Sequence, residues 1–83
     1  MEKKYNFIAK LKVESRGGKV VTLIDDLPKQ EIFLRDLAAE LKKKCGSGGT
    51  YSLDGKEGRV EIQGDKRELI KSLLEKKGFN VKG

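Results

Sequence analysis

The chain has 83 residues, of which 19 are Lys or Arg and 13 are Asp or Glu, giving a formal charge of +6. This length predicts one domain over residues 1–83, because domains typically need about 100–200 residues. The sequence has no His, the commonest general base and metal ligand, and its lone Cys excludes an intrachain disulfide. We therefore expect no enzyme, no metal and no other cofactor, and the basic charge favours an anionic partner such as nucleic acid.

Hydropathy sets further limits on the class of protein. No apolar run approaches the roughly 18 residues of a membrane-spanning helix, and the first residues lead into no signal-peptide core. We therefore expect a cytoplasmic protein that does not bind membranes. Leu, Ile, Val and Phe together exceed the ~20% below which chains tend to stay disordered. The chain should fold, with disorder expected only in residues 1–5.

The first predicted elements form a β-hairpin. Residues 6–14 alternate between apolar and polar side chains as a half-buried strand does, with one face made by Phe7, Ala9, Leu11 and Val13. Gly17 and Gly18 predict a tight turn, because paired glycines supply the positive φ angles that such turns need. Residues 20–25 are the predicted return strand. Both faces of that strand are apolar, so the pattern does not show which side chains point inward.

An apolar repeat of 3.6 residues predicts a helix from about Glu31 to Cys45, shortly after Pro28. Its stripe consists of Leu34, Leu37, Ala38, Leu41 and Cys45. Gly46 is expected to end this helix as a left-handed cap.

The two flanks of this stripe differ in charge. Arg35 and Lys42 fall close together on one flank, while Glu40 and Lys44 form a favourable i,i+4 pair on the other. Lys42, Lys43 and Lys44 also suit the negative end of the helix dipole. One flank is therefore purely basic and the other is partly neutralised.

The rest of the sequence predicts a second hairpin, a helix and a strand. Tyr51 with Leu53 and Val60 with Ile62 mark two strands, joined by a type I′ turn at Asp54-Gly55, with a bulge at Gly58. Asp65 is the expected N-cap of the second helix, with Glu68 completing a capping-box-like pair. The apolar face of this helix is Leu69, Ile70, Leu73 and Leu74, Gly78 ends it, and a short strand contains Phe79 and Val81. The order ββαββαβ predicts an α+β fold, a two-layer α/β sandwich with two helices on one sheet.

Two motifs have both a chemical and a structural interpretation. Cys45 could be a nucleophile, but a helix C-terminus disfavours a thiolate and no His is present as base, so a buried structural Cys is favoured. The glycines of residues 46–49 invite comparison with phosphate-binding loops. A P-loop opens a helix, and the G-x-x-G loop of KH domains joins two helices, whereas this loop leads into a strand. A flexible connection is favoured, and the alternative is a loop that approaches RNA closely.

Any nucleic-acid surface must be assembled by folding, because the basic residues form no tail. An outward-facing Lys is often only a solvated charge, but Arg16 and Lys19 at the tip of the first hairpin are favoured for function, since a structural turn needs neither charge. The aromatic residues form no stacking set, which predicts recognition of phosphates and shape rather than of stacked bases.

Several segments together resemble the translation initiation factor 1 family, the start-site fidelity factor of eukaryotes and archaea with its short bacterial relatives. They are Leu-Ala-Ala-Glu-Leu-Lys-Lys-Lys-Cys-Gly (37–46), Gly-Gly-Thr (48–50), Val-Glu-Ile-Gln-Gly-Asp-Lys-Arg (60–67) and the Arg-Gly-Gly-Lys hairpin (16–19). The similarity runs from about residue 8 to residue 82. In two respects the chain departs from the family: its hairpin tip looks shorter and less charged, and Asp26 stands where Gly is usual.

This resemblance implies the same α/β sandwich and a monomeric factor that binds the small ribosomal subunit beside the P site. Its partners would be ribosomal RNA, initiator tRNA, mRNA and other initiation factors. The implied RNA-binding residues are Arg16, Lys19, Arg35, Lys42, Lys43, Lys44, Lys66 and Arg67. Asp65 is either linked to start-site fidelity or simply a helix cap. The alternatives are a generic RNA-binding domain and a protein-interaction module that uses the outer face of the sheet, where Lys10 and Lys12 would be incidental.

Overall fold

The computed structural model describes residues 7–55 and 57–83 and contains the predicted order of elements. They are β1 (Ile8–Arg16), β2 (Lys19–Leu27), α1 (Glu31–Cys45), β3 (Gly49–Ser52), β4 (Gly58–Gln63), α2 (Arg67–Lys76) and β5 (Asn80–Lys82). The α+β sandwich is therefore confirmed. The disorder expected for residues 1–5 and the assignment of residue 6 to the first strand fall outside the described residues.

The five strands form one sheet in the order β3-β4-β2-β1-β5. All neighbouring strands are antiparallel except β1 and β5, which are parallel. One face of this sheet packs against both helices, because the buried side chains of α1 and α2 join the same apolar cluster as those of β1, β2 and β4. The other face is left open and carries most of the ion pairs among the described residues.

The core follows the predicted periodicities. Ala9 and Leu11 are the buried residues of β1, and the whole predicted stripe of α1 is buried: Leu34, Leu37, Ala38, Leu41 and Cys45. The register resolves the ambiguity in β2, because Leu11 and Val60 both lie opposite Ile24. Ile24 and Thr22 therefore point to the helices. Leu23 points to the open face and is still fully buried, flanked there by Lys12 and Glu61, whose long side chains can cover apolar surface.

The second hairpin differs from its prediction. Ser52 is the last residue of β3 to pair, with Arg59, so the connection is longer than the two residues of a type I′ turn. Such a turn needs positive φ at both central residues, and in the described chain Gly55 has one but Asp54 does not. Asp54 instead donates its backbone N–H to Ser52 Oγ at 3.1 Å. The prediction of a type I′ turn was wrong, because strand pairing ends at Ser52 and Asp54 lacks the positive φ that this turn needs.

The bulge lies in β2 and not at Gly58. Ile24 pairs with Val60 and Leu27 pairs with Gly58, so the extra residue is on β2. Asp26 takes up the irregularity with a φ of 62°, the only positive φ at a non-glycine residue in the described chain. Gly58 has a packing role: a Cβ there would lie 2.7 Å from both Leu34 Cδ1 and the carbonyl oxygen of Pro28.

The start of α2 also differs from its prediction. The helix begins at Arg67, its N-cap is Lys66, and no side chain caps it. Asp65 lies one residue too early to cap this helix, so the predicted cap and its pairing with Glu68 were wrong. The N–H of Lys66 is instead bonded to Thr22 Oγ1 at 2.8 Å, and the sequence pattern gave no indication of this distant partner.

The rest of α2 largely follows its prediction. Ile70 and Leu74 are buried and Leu73 is half-buried against the core, but Leu69 is 44% exposed and does not belong to the apolar face. The N–H of Gly78 bonds to the carbonyl of Glu75 at 3.0 Å as the helix ends. Within the described residues, neither helix is long and apolar enough to cross a membrane.

The strain at Asp26 yields a stability prediction. A left-handed conformation costs an ordinary L-residue about 1–2 kcal/mol, and the exposed pair of Asp26 with Lys10, at 3.2 Å, contributes little. We expect Asp26→Gly to raise the free energy of unfolding by about 0.5–1 kcal/mol, part of the relief being offset by the greater chain entropy of Gly.

The matched control for this prediction is Asp26→Ala. It keeps the strain and loses the polar side chain that makes the conformation tolerable to Asp, so it should lower the free energy of unfolding by about 1 kcal/mol. Urea unfolding followed by circular dichroism measures both variants. An Asp26→Gly protein less stable than Asp26→Ala would contradict the assignment of strain to this residue.

Candidate nucleic-acid interface

Two backbone hydrogen bonds bring separate parts of the chain to one end of the sheet. The N–H of Gly64 bonds to the carbonyl of Val20 at 2.7 Å, and the N–H of Gln63 bonds to the carbonyl of Gly48 at 2.9 Å. The end of β4 is thereby tied to the start of β2, beside the hairpin turn, and to the loop that follows α1. The tip of the first hairpin, the last turn of α1 and the first turn of α2 therefore lie at the same end of the molecule.

Six of the eight basic residues that are predicted to bind RNA lie at this end. None of these six forms an ion pair with a described residue. Within the described residues, none of the six has a carboxylate within 4.0 Å. We refer to this set as the cationic end; its members are Lys19, Lys42, Lys43, Lys44, Lys66 and Arg67. All are exposed except Lys66, which is half-buried.

Helix electrostatics distinguish the two halves of the cationic end. Lys42, Lys43 and Lys44 occupy the last turn of α1, where cations are stabilised by the helix dipole. Lys66 and Arg67 occupy the start of α2, where the dipole is positive and a cation is disfavoured. The stability of α2 therefore does not explain why two basic residues stand at its start. An anion bound there would be attracted both by their side chains and by the N–H groups of the first helical turn.

Arg16 lies at this end, but its charge is already neutralised. Its Nε donates to Glu14 Oε1 at 2.6 Å, and its Nη1 donates to Glu61 Oε1 at 2.9 Å. The hydrogen bond from Arg16 lowers the pKa of Glu14. The turn itself is as predicted, with φ of 51° at Gly17 and 84° at Gly18. Two carboxylates on the open face thus hold the guanidinium against the sheet, and the RNA-binding role of Arg16 stays a prediction.

Arg35 is not brought to the cationic end. It precedes Lys42 by seven residues and so lies roughly 10 Å further along the axis of α1. Its nearest carboxylate is that of Asp36, at 3.6 Å, and both side chains are well exposed. Arg35 therefore extends the basic flank of α1 without joining the cluster.

The predicted pair of Glu40 and Lys44 does not form. Lys77 donates its ammonium to Glu40 Oε1 at 2.6 Å, which links α1 to the end of α2. The prediction was wrong because i,i+4 spacing ignores a nearer partner on another helix. Lys44 is left among the unpaired members of the cationic end.

The opposite end of the open face has balanced charges. Lys10 pairs with Asp26 at 3.2 Å, Lys12 lies 3.9 Å from Asp25, and Arg59 donates to the same Asp25. These residues line an open groove of about 1000 Å³. Because every one of these cations faces a carboxylate, the groove offers little net attraction to a polyanion.

Cys45 and the loop after it have structural explanations. Cys45 is buried in the core cluster, and burial raises the pKa of its thiol, an effect that the charge of Lys66 partly offsets. The predicted burial of Cys45 is confirmed, and a raised pKa disfavours the thiolate that a nucleophile needs. Gly49 is required by packing, because a Cβ there would lie 2.5 Å from the carbonyl oxygen of Glu61. The loop is the predicted connection from a helix to a strand.

The sequence matches the model of one protein family and is similar to several known proteins. A family model described as "Translation initiation factor SUI1" matches residues 8–80. Over 67 residues the chain is 60% identical to the YciH protein of Salmonella typhimurium and 57% identical to that of Escherichia coli, covering 81% of this chain and 58% of each relative. The chain thus spans less than two thirds of the length of these bacterial proteins.

Archaeal proteins are similar over a larger share of their length. The chain is 45% identical over 73 residues to a "Protein translation factor SUI1 homolog" of Hyperthermus butylicus, covering 87% of this chain and 67% of that protein. It is 45% identical over 80 residues to the protein of the same name from Sulfurisphaera tokodaii, covering 95% and 75%. The family model's range of residues 8–80 includes β1 to α2 in full and the first residue of β5.

The burial of Cys45 predicts a pH-dependent stability. The unfolded thiol ionises near pH 8.5, whereas burial raises the pKa in the folded state, so rising pH favours the unfolded chain. The contribution of Cys45 is complete below about pH 8.5 and is lost as the pH rises through the higher pKa of the folded state. At pH 7 we expect Cys45→Ala to be less stable than the original protein by about 1 kcal/mol.

The difference in the free energy of unfolding between the original protein and Cys45→Ala should become smaller between pH 7 and pH 10, because only the original protein loses the contribution of the thiol. Urea unfolding of both proteins at a series of pH values measures it. A difference that stayed constant or widened with pH would mean that the thiol is not held neutral by the fold.

Proposed function

Because this chain belongs to the SUI1 family of translation initiation factors, we propose that it binds the RNA of the small ribosomal subunit beside the P site. The cationic end is the binding surface. One observation supports this assignment above the others: Lys66 and Arg67 lie at the positive end of a helix without an ion pair among the described residues, a placement that an anionic ligand would stabilise.

Binding proceeds by neutralising phosphates. Each Lys or Arg that contacts a phosphate releases a condensed counterion, so the affinity falls as salt rises. Three of the cationic residues lie on α1 and two at the start of α2, which spreads the contacts over two elements. Recognition is of phosphate positions and RNA shape, since the cationic end contains no aromatic side chain on which a base could stack.

In this position the factor modulates the choice of start codon and initiator tRNA, without catalysing a reaction. The first hairpin projects from the cationic end toward tRNA and mRNA, and a mispaired initiator complex is penalised by steric conflict with it. The protein acts in the cytoplasm as a monomer, alongside other initiation factors. The archaeal relatives named as translation factors support a role in translation, and the description of the family model supports initiation.

The decisive experiment measures binding of labelled protein to purified small subunits across a salt series, with large subunits as the control. We expect tight, saturable and salt-sensitive binding to small subunits alone. Lys66→Ala with Arg67→Ala should weaken it about tenfold and reduce the slope of log affinity against log salt by about 2, one for each lost phosphate contact.

The control for this double variant lies on the same helix. Lys71→Ala with Lys76→Ala removes the same charge from exposed positions further along α2, and should change affinity by less than about twofold. Equal losses from the two double variants would mean that only net charge matters. Weak binding of equal strength to both subunits would reduce the function to that of a generic RNA-binding domain.

The pairing of Arg16 makes a separate prediction. Glu61→Gln removes the charge of one of the two carboxylates that hold Arg16, so Nη1 of the guanidinium becomes available to a phosphate while Nε stays bonded to Glu14. We expect binding to small subunits to tighten by about two- to threefold, the equivalent of one exposed ion pair.

Glu57→Gln is the matched control, because Glu57 is exposed and lines the groove at the opposite end of the open face. It makes the same change in net charge and should leave the affinity nearly unchanged. In an Arg16→Ala background the gain from Glu61→Gln should disappear. Persistence of the gain there would show that Glu61 acts by repelling RNA directly, without involving Arg16.

A further inference from the structure

Thr22 is the only polar or charged side chain that is buried in the described chain, and it has no exposed area. It lies on the face of β2 that points to the helices, within the otherwise apolar run Val-Val-Thr-Leu-Ile. Burying a hydroxyl in such surroundings costs free energy unless its hydrogen bonds are formed. The reason for a Thr at this position must therefore be found in its partners.

Both functions of the hydroxyl are used, and both partners lie in the loop between β4 and α2. Thr22 Oγ1 donates to the carbonyl of Gly64 at 2.7 Å and accepts from the N–H of Lys66 at 2.8 Å. A third bond joins the N–H of Gly64 to the carbonyl of Val20 at 2.7 Å. The loop is thus fixed at two of its residues by β2, at distances typical of well-formed hydrogen bonds.

The bond to Lys66 takes the place of a missing helix cap. Lys66 is the N-cap of α2, and no side chain caps this helix. Ordinarily a Ser, Thr, Asp or Asn at the N-cap fixes the path of the chain into the first turn. Here a hydroxyl 44 residues away in sequence fixes the N-cap residue itself, and with it the direction in which Lys66 and Arg67 leave the loop.

We propose that Thr22 is a positioning residue for RNA binding: its hydroxyl holds the loop of residues 64–66 so that Lys66 and Arg67 reach their phosphates. This inference rests on the proposed function. A Val in the same place would fill a similar volume, but it would leave the carbonyl of Gly64 and the N–H of Lys66 without this partner, so a loss of stability alone does not test the proposal. The hydroxyl is needed for the position of the loop.

The test compares two substitutions at residue 22 by their binding to purified small ribosomal subunits across a salt series. Thr22→Val keeps the shape and removes both hydrogen bonds, whereas Thr22→Ser keeps the hydroxyl and removes a methyl group. We expect Thr22→Val to weaken binding about three- to tenfold and to lower the salt slope by about 1 to 2, while Thr22→Ser retains the original slope. Circular dichroism confirms that each protein is folded at the temperature of the titration.

A second comparison separates positioning from stability. In a protein that already carries Lys66→Ala and Arg67→Ala, Thr22→Val should cause no further loss of affinity, because it acts through those two side chains. A loss of stability with an unchanged salt slope would overturn the proposal, as would an equal loss in both backgrounds. Should Thr22→Val not fold, Thr22→Cys carries the same comparison, since a thiol is a weak donor and acceptor.

The same titration distinguishes this proposal from the function on which it rests. If the original protein binds and Lys66→Ala with Arg67→Ala weakens it, an unchanged Thr22→Val overturns the role of Thr22 alone. If that double variant binds as tightly as the original, the positioning role fails and binding by another surface stands. If the original protein does not bind small subunits, the proposed function fails, and the role of Thr22 fails with it.

Discussion

The pairing of β2 with β1 on one side and with β4 on the other is the constraint that positions the whole cationic end. The first register places Lys19 opposite Arg16, and the second brings the loop after β4 beside Val20. A slip of one residue would turn Ile24 to the open face. The apolar contacts of Ile24 with the helices therefore fix where the basic residues stand, although none of those residues contributes to the core.

The electrostatic field around this molecule depends more on which charged side chains form ion pairs than on how many charged side chains there are. On the open face, Lys10, Lys12 and Arg59 each face a carboxylate, which cancels their field at a distance. Unpaired cations gather at the other end of the sheet, and two of them sit at the start of α2, where the helix dipole opposes them. The cationic end therefore presents six unpaired cations together, although the formal charge of +6 is spread along the sequence.

Most features that depend on neighbours in sequence could be predicted, the type I′ turn at Asp54-Gly55 being an exception, and those that depend on distant partners could not. The stripe of α1 and its end at Gly46 follow from helical spacing and from a left-handed cap, and both were correct. Glu40 was paired with Lys44 because only local spacing was available, whereas Lys77 arrives from another helix. The cap at Asp65 was wrong for the same reason, since Thr22 lies on a different element. In the candidate site, the residue types could be named from the sequence, but the neutralisation of Arg16 required Glu61, which is 45 residues away.

Asp26 shows how the fold tolerates a residue with a strained backbone conformation. A residue with a positive φ is needed where β2 bulges against β4, and Gly would meet that need without strain. Asp is among the few L-residues that enter this region readily, since its short side chain forms local hydrogen bonds. The strain is confined to the end of the sheet opposite the cationic end, and the continuous register from Val21 to Ile24 separates the two. A change in the bulge can therefore alter stability without moving the loop that carries Lys66 and Arg67.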